Sequence, residues 1–433
     1  MRLLGSQSLL ILTRKAARLR RKLRGQKPTI YYFHQVDDPY SFIMVQQLQR
    51  FTSMVSLDIK PYLVSGAKDA FKGDASRFDD WALQDAASIA PFLGEPLPMP
   101  AGVEQPVYPA IGQNTAANAS LLAALNGEHF WELAHRTGHV LWSQELAANT
   151  SAEIATHVAR ALDEGNALRE NLGHYQGGTL YFEGEWFWGA DRLPRLWQRL
   201  AVEGFCDPDL PVFDPYSNGT AVRLTATGPV SSEITLEYYP SLRSPYSAIA
   251  HAAVERLASR TQVALTLRPV MPMLMRGVTA PRHKQRYILT DCTREARASN
   301  IPFGNFVDPF GDPVKRGFAL FPGAVAQGKG MAFVGAYLSA AFAEGIDIDS
   351  ENGLRQVIAN AGLAWEPTQS HPDSDAWTQL LEDNVSAMLG AGLWGVPSFR
   401  VSSPGEPDVC CWGQDRIWRV EHELARRSQR PNG

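Results

Sequence analysis

A serine stands in this sequence where an apolar strand gives way to a helix. Ser244 is followed by Pro245, Tyr246 and Ser247, and proline suits the first helical turn because its missing N–H leaves no bond unmade there. A helix N-terminus carries about half a positive charge and unpaired N–H groups, so it attracts anions. The Ser244 hydroxyl could therefore donate a hydrogen bond to a bound anion. The alternative is a structural N-cap worth about 1 kcal/mol.

The same pattern occurs earlier in the chain. Residues 29–62 and 234–270 each contain an apolar strand, a Pro-Tyr-Ser turn that opens a helix, and a second β-branched strand. Strand, helix and strand at this spacing predict a βαβ unit with parallel strands and a right-handed crossover.

The repeat continues beyond these blocks. Helix-rich regions follow at about 115–170 and 323–392, and each half then closes with a β-rich piece. Trp188-Gly-Ala-Asp-Arg192 and Trp412-Gly-Gln-Asp-Arg416 precede the last helix of each half. The order β-α-β, helical insert, β-β-α occurring twice predicts an α/β chain with two tandem domains.

Five segments follow from this organisation. We expect a basic N-terminal helix at 1–28, a first domain at 29–200, a linker at 201–232, a second domain at 233–425 and a C-terminal tail at 426–433. The linker assignment depends on its content of Pro, Gly, Ser and Asp.

Composition excludes several classes of protein. Hydrophobic residues make up 45% and charged residues 20% of the 433, as in globular domains, and the net charge of −4 gives no signal for nucleic acid. The four cysteines form neither a C-x-x-C pair nor a zinc pattern, so we expect no metal and a reducing, cytoplasmic location. The neighbours Cys410 and Cys411 are interpreted as ordinary strand or loop residues, with a vicinal redox pair as the alternative.

The N-terminal segment is strongly basic. A short apolar run at 9–12 is followed by eight Lys and Arg residues, the reverse of a secretory signal, and the run is too short to span a bilayer. One interpretation is a helix that docks on the protein or moves freely. The other is weak contact with an anionic membrane surface or a partner.

The second half resembles the 2-hydroxychromene-2-carboxylate isomerases and kappa-class glutathione transferases, which are related to the DsbA oxidoreductases. The resemblance covers most of 233–425 and depends on four motifs in order: Ser244-Pro-Tyr-Ser247, Lys284-x-x-Tyr287-x-x-x-Asp291-x-x-Arg294, Gly395-Val-Pro-Ser398 and Trp412-Gly-Gln-Asp-Arg416. It implies two thioredoxin-like domains in tandem, each with an inserted helical subdomain and the first a degenerate copy.

The resemblance also implies roles for individual residues, with glutathione as cofactor. Ser244 would hold the glutathione thiolate, a cis Pro397 would turn the Val396 backbone toward the cysteinyl part, and Gln414 and Asp415 would bind the γ-glutamyl group. Lys284 would bind a carboxylate. Alternatives are a helix cap for Asp415 and an ordinary solvated lysine for Lys284. Candidate substrate contacts are Arg268, Tyr287 and Tyr246, although Arg268 and Tyr287 could simply pack.

The first half lacks these groups. Its equivalents of Ser244, Lys284 and Pro397 are Asp38, Phe78 and Gly178. A carboxylate at Asp38 would repel a thiolate, so we expect the first domain to bind no glutathione thiolate and to support the second. The tandem repeat would then replace a homodimer.

The function expected is a glutathione-dependent cis-trans isomerase or glutathione transferase acting on a small aromatic or unsaturated electrophile. Relatives commonly have an asparagine in the loop after the second strand, whereas 271–280 contains three methionines and no asparagine, which indicates a different acceptor. The alternative is a non-catalytic thioredoxin-fold binding or scaffold protein. Disulfide exchange is disfavoured because both helix starts lack cysteine.

Overall fold

The computed structural model describes residues 6–125, 127, 129–207, 209–369 and 376–429. The chain divides into two compact units. The N-terminal unit is Leu10–Val222, and the C-terminal unit is Arg223–Gly433 together with Met1–Leu9. This division falls inside the segment predicted as a linker.

A four-stranded sheet forms the centre of the N-terminal unit. Its strands are β1 (Thr29–His34), β2 (Asp58–Leu63), β3 (Thr179–Phe182) and β4 (Glu185–Trp188), in the order β2-β1-β3-β4. Strand β1 runs parallel to β2 and antiparallel to β3, and β3 pairs with β4 as a hairpin. The parallel β1–β2 pair confirms the predicted βαβ unit.

The helices of the N-terminal half lie before, within and after this sheet. They are α1 (Gln7–Leu23), α2 (Pro39–Phe51), α3 (Asp69–Lys72), α4 (Ala75–Leu93), α5 (Ile111–Leu122), α6 (Phe130–Trp142), α7 (Ala152–Leu172) and α8 (Leu193–Val202). Helix α2 begins after Asp38, whose carboxylate accepts hydrogen bonds from the N–H groups of Tyr40 and Ser41.

Helix α1 is docked on the β3–β4 hairpin. Arg21 bonds to the Glu183 carboxylate at 2.7 Å and Arg14 to Glu185 at 2.8 Å, and both carboxylates are buried. A Cβ on Gly184, at the turn, would lie 3.0 Å from Thr13 Cγ2, so the close approach of helix and hairpin requires glycine there. The structure therefore shows the basic segment docked on the protein, and its contact with a membrane surface or a partner stays a prediction.

The C-terminal unit contains a second sheet with the same strand order. Its strands are β5 (Thr235–Tyr239), β6 (Ala264–Leu267), β7 (Ser398–Ser403) and β8 (Glu406–Trp412), in the order β6-β5-β7-β8. Strands β5 and β6 are parallel, and β7 is antiparallel to both β5 and β8. The predicted α/β class, with two similar four-stranded sheets, is confirmed.

The helices of the C-terminal unit cover this sheet and form an insert between β6 and β7. They are α9 (Pro245–Thr261), α10 (Arg282–Ala298), α11 (Asp312–Ala326), α12 (Gly330–Ser339), α13 (Glu351–Asn360), α14 (Trp365–Gln369), α15 (Trp377–Gly390) and α16 (Ile417–Ser428). The insert has its own apolar core, in which Phe318, Phe333, Val334 and Tyr337 are at most 1% exposed.

Two predicted boundaries need correction. Helix α16 runs through Ser428, so residues 426–428 belong to the last helix rather than to a tail, because Arg426 and Arg427 both bond to Glu423 one turn earlier. The remaining residue of the predicted tail that is described is Gln429, and 430–433 lie outside the described residues.

The predicted linker at 201–232 is bound to the N-terminal unit over part of its length. Helix α8 ends inside it, at Val202. The Ser56 N–H donates to the Phe205 carbonyl at 2.8 Å, and the Ala221 N–H donates to the Pro91 carbonyl at 2.8 Å. Backbone hydrogen bonds therefore hold parts of the predicted linker against the N-terminal unit.

Every helix among the described residues is too short or too polar to cross a bilayer.

A matched pair of glycines tests the packing before β7. A Cβ on Gly395 would lie 2.3 Å from the Trp412 ring, which the Trp394 ring confines at a centroid distance of 4.6 Å. A Cβ on Gly390, in α15, would meet nothing within 4 Å. We expect Gly395→Ala to lower the free energy of unfolding by about 1–3 kcal/mol and Gly390→Ala to raise it by up to about 1 kcal/mol. Urea unfolding measures both, and equal effects would contradict the packing described.

Candidate active site at one edge of the C-terminal sheet

The register of three strands brings three loops to one edge of the sheet. Tyr239, the last residue of β5, pairs with Ser398, the first residue of β7, and Ser398 pairs with Trp412 at the end of β8. Three segments therefore lie at this edge: the loop that follows β5, the loop that precedes β7 and the loop that follows β8. These three loops carry Ser244, Val396–Pro397 and Gln414–Asp415 respectively.

Ser244 caps helix α9. Its Oγ accepts a hydrogen bond from the Ser247 N–H at 3.1 Å, and its backbone is extended, with φ −99° and ψ 117°. Ser244 is 8% exposed, and the Ser247 hydroxyl in turn accepts from the Ser241 N–H at 3.2 Å. Because the Ser244 oxygen acts as acceptor in the cap, its own proton can be donated elsewhere. The capping alternative is therefore confirmed, and it is compatible with donation to an anion.

The Val396–Pro397 peptide bond is cis, as the family resemblance implies. The Pro397 carbonyl accepts from the Gly413 N–H at 2.9 Å, and the Gly395 carbonyl accepts from the Ser398 hydroxyl at 2.7 Å. Neither the N–H nor the C=O of Val396 bonds to another described residue. The Val396 backbone is thus held from both sides while its own polar groups stay available.

Gln414 and Asp415 form a short turn between β8 and α16. Gly413 precedes them with φ 104°, a backbone conformation that favours glycine, and the Gln414 amide donates to the Asp415 carboxylate. Helix α16 begins at Ile417, and the side chain of the preceding residue, Arg416, makes no cap hydrogen bond. The roles of Asp415 in ligand binding and as a helix cap both stay predictions.

Lys284 lies in the first turn of α10 and is half-buried. Burial lowers the pKa of its ammonium group to about 8, because desolvation disfavours the charged form. A cation held this close to neutrality can bind a carboxylate or lose its proton within the physiological range. Carboxylate binding by Lys284 stays a prediction, as does the alternative of an ordinary solvated lysine.

Two of the predicted substrate contacts converge on a buried carboxylate. The Tyr246 hydroxyl donates to Asp291 at 2.9 Å and the Tyr287 hydroxyl at 3.4 Å, and Arg294 pairs with the same carboxylate. Asp291 is 0% exposed. The network joins the first turn of α9 to α10 and so fixes the helix start that Ser244 caps. Contact of either tyrosine with a substrate stays a prediction.

Arg268, the third predicted substrate contact, belongs to a different cluster. Its guanidinium bonds to Glu237 at 2.7 Å, and Arg400 bonds to the other Glu237 oxygen at 2.6 Å. These hydrogen bonds lower the pKa of Glu237 against the opposing effect of its burial. The structure gives Arg268 a partner on the sheet, and its contact with a substrate also stays a prediction.

A residue that sequence reasoning missed holds the loop before Ser244. Arg243 makes two hydrogen bonds to the Asp308 carboxylate, at 2.7 and 2.8 Å, and its guanidinium lies 4.9 Å from the centre of the Phe310 ring. This bidentate pair ties the strand-to-helix turn to the insert. No local pattern in the sequence indicates a partner 65 residues away.

The cysteines supply no nucleophile at this edge. All four are free thiols, and Cys410 and Cys411 are consecutive residues of β8. Cys411 is buried in the core, whereas burial raises the pKa of Cys410 to about 11. Neighbouring strand residues point to opposite faces, which contradicts the vicinal redox alternative.

The N-terminal unit has the same edge with different chemistry. The Gly189 N–H donates to the Gly178 carbonyl at 3.1 Å, as Gly413 does to Pro397. A Cβ on Gly178 would lie 3.0 Å from Asp38 Oδ2, which accepts from the Ser41 hydroxyl at 2.8 Å. Burial raises the pKa of Asp38 to about 6, so most of this carboxyl is charged at pH 7. A thiolate would meet like charge here.

The match to a known family covers one part of the chain. A family model described as DSBA-like thioredoxin domain matches residues 235–425. These residues form a DSBA-like thioredoxin domain. They contain β5–β8, the insert and every predicted site residue, so the site edge described above belongs to the DSBA-like domain.

Several solved structures are similar to part of the chain. A 2-hydroxychromene-2-carboxylate isomerase is 25% identical, with 44% of this chain and 95% of that chain covered and a TM-score of 0.37. The cytosolic disulfide reductase DsbM from Pseudomonas aeruginosa is 20% identical, with 45% and 98% covered and a TM-score of 0.35. A putative protein disulfide isomerase from Nitrosomonas europaea is 16% identical, with 43% and 96% covered and a TM-score of 0.35. Comparison with curated proteins found no match.

The pH dependence of stability tests the buried charge of Asp38. Its pKa is raised above that of the unfolded chain, so the folded state binds the extra proton and loses stability as the pH rises from about 4 to about 6. We expect Asp38→Asn to remove this slope and to be more stable than wild type at pH 7 by on the order of 1–2 kcal/mol. Urea unfolding between pH 4 and 7 measures the effect.

Asp74 provides the matched control, because it also caps a helix of the N-terminal unit and its side chain is 37% exposed. Asp74→Asn should leave the pH slope of the wild type in place. A slope that survives in Asp38→Asn would contradict the assignment.

Proposed function

We propose that the C-terminal unit is a glutathione-dependent isomerase or transferase acting on a small aromatic or unsaturated electrophile. The observation that carries this proposal is the convergence of three loops at one sheet edge, with Ser244, Val396 and Gln414–Asp415 on them. Each loop offers a different kind of group: a hydroxyl at a helix start, an unpaired backbone and a carboxylate with an amide.

Ser244 would act on the sulfur. Its hydroxyl proton would be donated to the glutathione thiolate, and the N-terminus of α9, a helix of 17 residues, would add its partial positive charge. Both interactions stabilise the thiolate over the thiol and lower the pKa of the bound sulfur. A serine forms no disulfide, so this site would activate a bound thiol rather than exchange disulfides.

The other groups match the rest of the tripeptide. The unpaired N–H and C=O of Val396 would pair with the cysteinyl residue in the manner of an added strand. The Asp415 carboxylate would bind the γ-glutamyl ammonium group, and the Gln414 amide its carboxylate. Lys284 would bind a carboxylate as a point charge.

The reaction would begin with attack by the thiolate. In the isomerase version, sulfur adds to a conjugated carbonyl system and the displaced electron pair moves to the carbonyl oxygen as an enolate. A former double bond then rotates as a single bond, and the enolate collapses to expel the thiolate, so glutathione is recovered. In the transferase version, the adduct takes up a proton and leaves as the product. The chain's task in both is to hold the thiolate and the developing negative charge.

The acceptor would lie against the segment between β6 and α10. Met271 and Met275 pack on the core of the insert and are partly buried. Thioether side chains adapt to flat apolar ligands, in keeping with an aromatic or unsaturated acceptor. Tyr246, Tyr287 and Arg268 remain the proposed polar contacts.

We further propose that the two units are a tandem repeat in which the N-terminal copy is non-catalytic and replaces a second subunit, in the reducing environment of the cytoplasm. The shared strand order and the charged Asp38 in place of Ser244 support this proposal. Light scattering should give the mass of a single chain, 47.8 kDa, and a tight dimer would count against it.

Replacing Ser244 tests the proposed role directly. We expect Ser244→Ala to raise the pKa of the bound thiol and to lower turnover of a conjugated electrophile by about 10–1000-fold, because the thiolate loses its hydrogen-bond donor. Calorimetric titration gives glutathione affinity, and the ultraviolet absorbance of the bound thiolate followed against pH gives its pKa.

Ser350 is the matched control for the loss of a helix cap. Its hydroxyl oxygen accepts a hydrogen bond from the Gly353 N–H at 3.0 Å at the start of α13. Ser350→Ala therefore removes a similar cap hydrogen bond at a site away from the sheet edge. It should leave the thiol pKa unchanged. Absence of glutathione binding by the wild type at millimolar concentration would overturn the proposal, and binding without turnover of any electrophile would favour a binding or scaffold protein.

The pKa of Lys284 predicts a pH-dependent affinity. As the pH rises through about 8 the ammonium group loses its charge, so the affinity for a glutathione carboxylate should fall. S-methylglutathione, which has no ionisable thiol, separates this effect from thiolate formation. We expect the calorimetric affinity for S-methylglutathione to fall by about fivefold or more between pH 7 and 9. This fall should be absent in Lys284→Met. An identical pH profile in the variant would remove Lys284 from the site.

A further inference from the structure

The outer face of helix α1 is apolar. Leu12, Leu19 and Leu23 are 62%, 57% and 78% exposed, and Ile11 is 40% exposed. The three leucines are separated by seven and four residues, which places them in one row on a helix. A row of large apolar side chains turned to solvent costs free energy unless something covers it.

The opposite face of α1 is the one that contacts the protein. Arg14 and Arg21 bond to Glu185 and Glu183, and Arg18 bonds to both Glu183 at 3.0 Å and Glu203 at 2.6 Å. Helix α1 is therefore attached through its charged face, the reverse of a helix that packs on a core. The leucines stay on the outside while the helix is docked.

Positive charges border the leucine row on both sides. Lys15 and Lys22 lie along one border and Arg20 along the other, and all three are exposed. Gln7–Leu23 contains six basic residues and no acidic one, in a chain whose net charge is −4. The docked arginines account for three of the six, and the charge that remains surrounds the apolar row.

We propose that α1 binds the surface of an anionic membrane with its leucine row. The helix would lie in the plane of the headgroups, with Leu12, Leu19 and Leu23 in the upper acyl region and Lys15, Lys22 and Arg20 beside lipid phosphates or carboxylates. Binding would leave the pairs to Glu183 and Glu185 intact, because they lie on the other face. A helix of 17 residues with six basic side chains does not cross the bilayer.

Charge selects the membrane over a second copy of this chain as the occupant. A two-fold contact between two leucine rows would place the basic borders of both helices against each other. Anionic lipid removes that repulsion and gains about a fivefold increase in affinity for each basic residue near the surface. One short helix gives reversible rather than permanent attachment.

The experiment is co-sedimentation of the full chain with vesicles. We expect binding to phosphatidylcholine vesicles that contain phosphatidylserine and at least about tenfold weaker binding to phosphatidylcholine alone. The triple variant Leu12→Ser, Leu19→Ser, Leu23→Ser should lose at least about tenfold in affinity, because the buried apolar area is lost. Lys15→Glu with Lys22→Glu should lose a similar factor while keeping the docking arginines.

A matched triple variant controls for exposed apolar residues elsewhere in the N-terminal unit. Ile111, Ile154 and Val202 are 85%, 44% and 88% exposed, so Ile111→Ser, Ile154→Ser, Val202→Ser removes comparable side chains away from α1. It should bind vesicles as the wild type does, and circular dichroism should show each variant folded.

Three results would overturn the proposal. The first is no vesicle binding by the wild type, and the second is equal loss in both triple variants. The third is a light-scattering mass that falls from dimer to monomer when the α1 leucines are replaced, which would identify the row as an interface between copies.

Discussion

The antiparallel pairing of β7 with both β5 and β8 is the constraint on which the proposed active site depends. It aligns Tyr239, Ser398 and Trp412 side by side, and the chain that extends from each of them carries one part of the site. The hydrogen bond from Gly413 to the Pro397 carbonyl locks two of the loops together at the edge. A one-residue slip of β7 would move both Val396 and the Gln414 turn away from the start of α9 and turn every strand residue to the wrong face.

Local patterns allowed part of this arrangement to be predicted. The Ser244-Pro-Tyr-Ser247 turn has a short-range signal, because a serine followed by a proline is typical of a helix start. The cis Pro397 was implied by the resemblance to a known family. The ion pairs that hold the site have no such signal. Asp308 and the Glu237 cluster with Arg268 and Arg400 bring together residues far apart in the chain, and a lone arginine in a sequence does not indicate its partner. The predicted tail boundary was wrong for a different reason: Arg426 and Arg427 bond to Glu423 one turn earlier and extend the last helix.

The two sheets share their strand order and several backbone-fixing contacts but carry different chemical groups at the same edge. Tyr40 donates to Asp85 at 2.7 Å in the N-terminal unit, as Tyr246 donates to Asp291 at 2.9 Å in the C-terminal unit. The tyrosine-to-carboxylate pairs and the bonds that hold the edge are the same, whereas the groups that face the edge differ. Positions that fix the backbone are thus shared, whereas the residues proposed to bind a thiol differ, with Asp38, Phe78 and Gly178 in place of Ser244, Lys284 and Pro397.

The consecutive cysteines of β8 affect how readily this chain reacts with oxidants. Because side chains alternate along a strand, Cys411 lies in the core. Burial keeps the Cys410 thiol protonated at neutral pH, and the remaining two cysteines are also buried. Peroxides and mixed disulfides react with thiolates, so the polypeptide itself offers them little to attack. Any thiol chemistry at the sheet edge would have to arrive with a diffusible thiol, and peroxides would then react with that small molecule before they react with the cysteines of the chain.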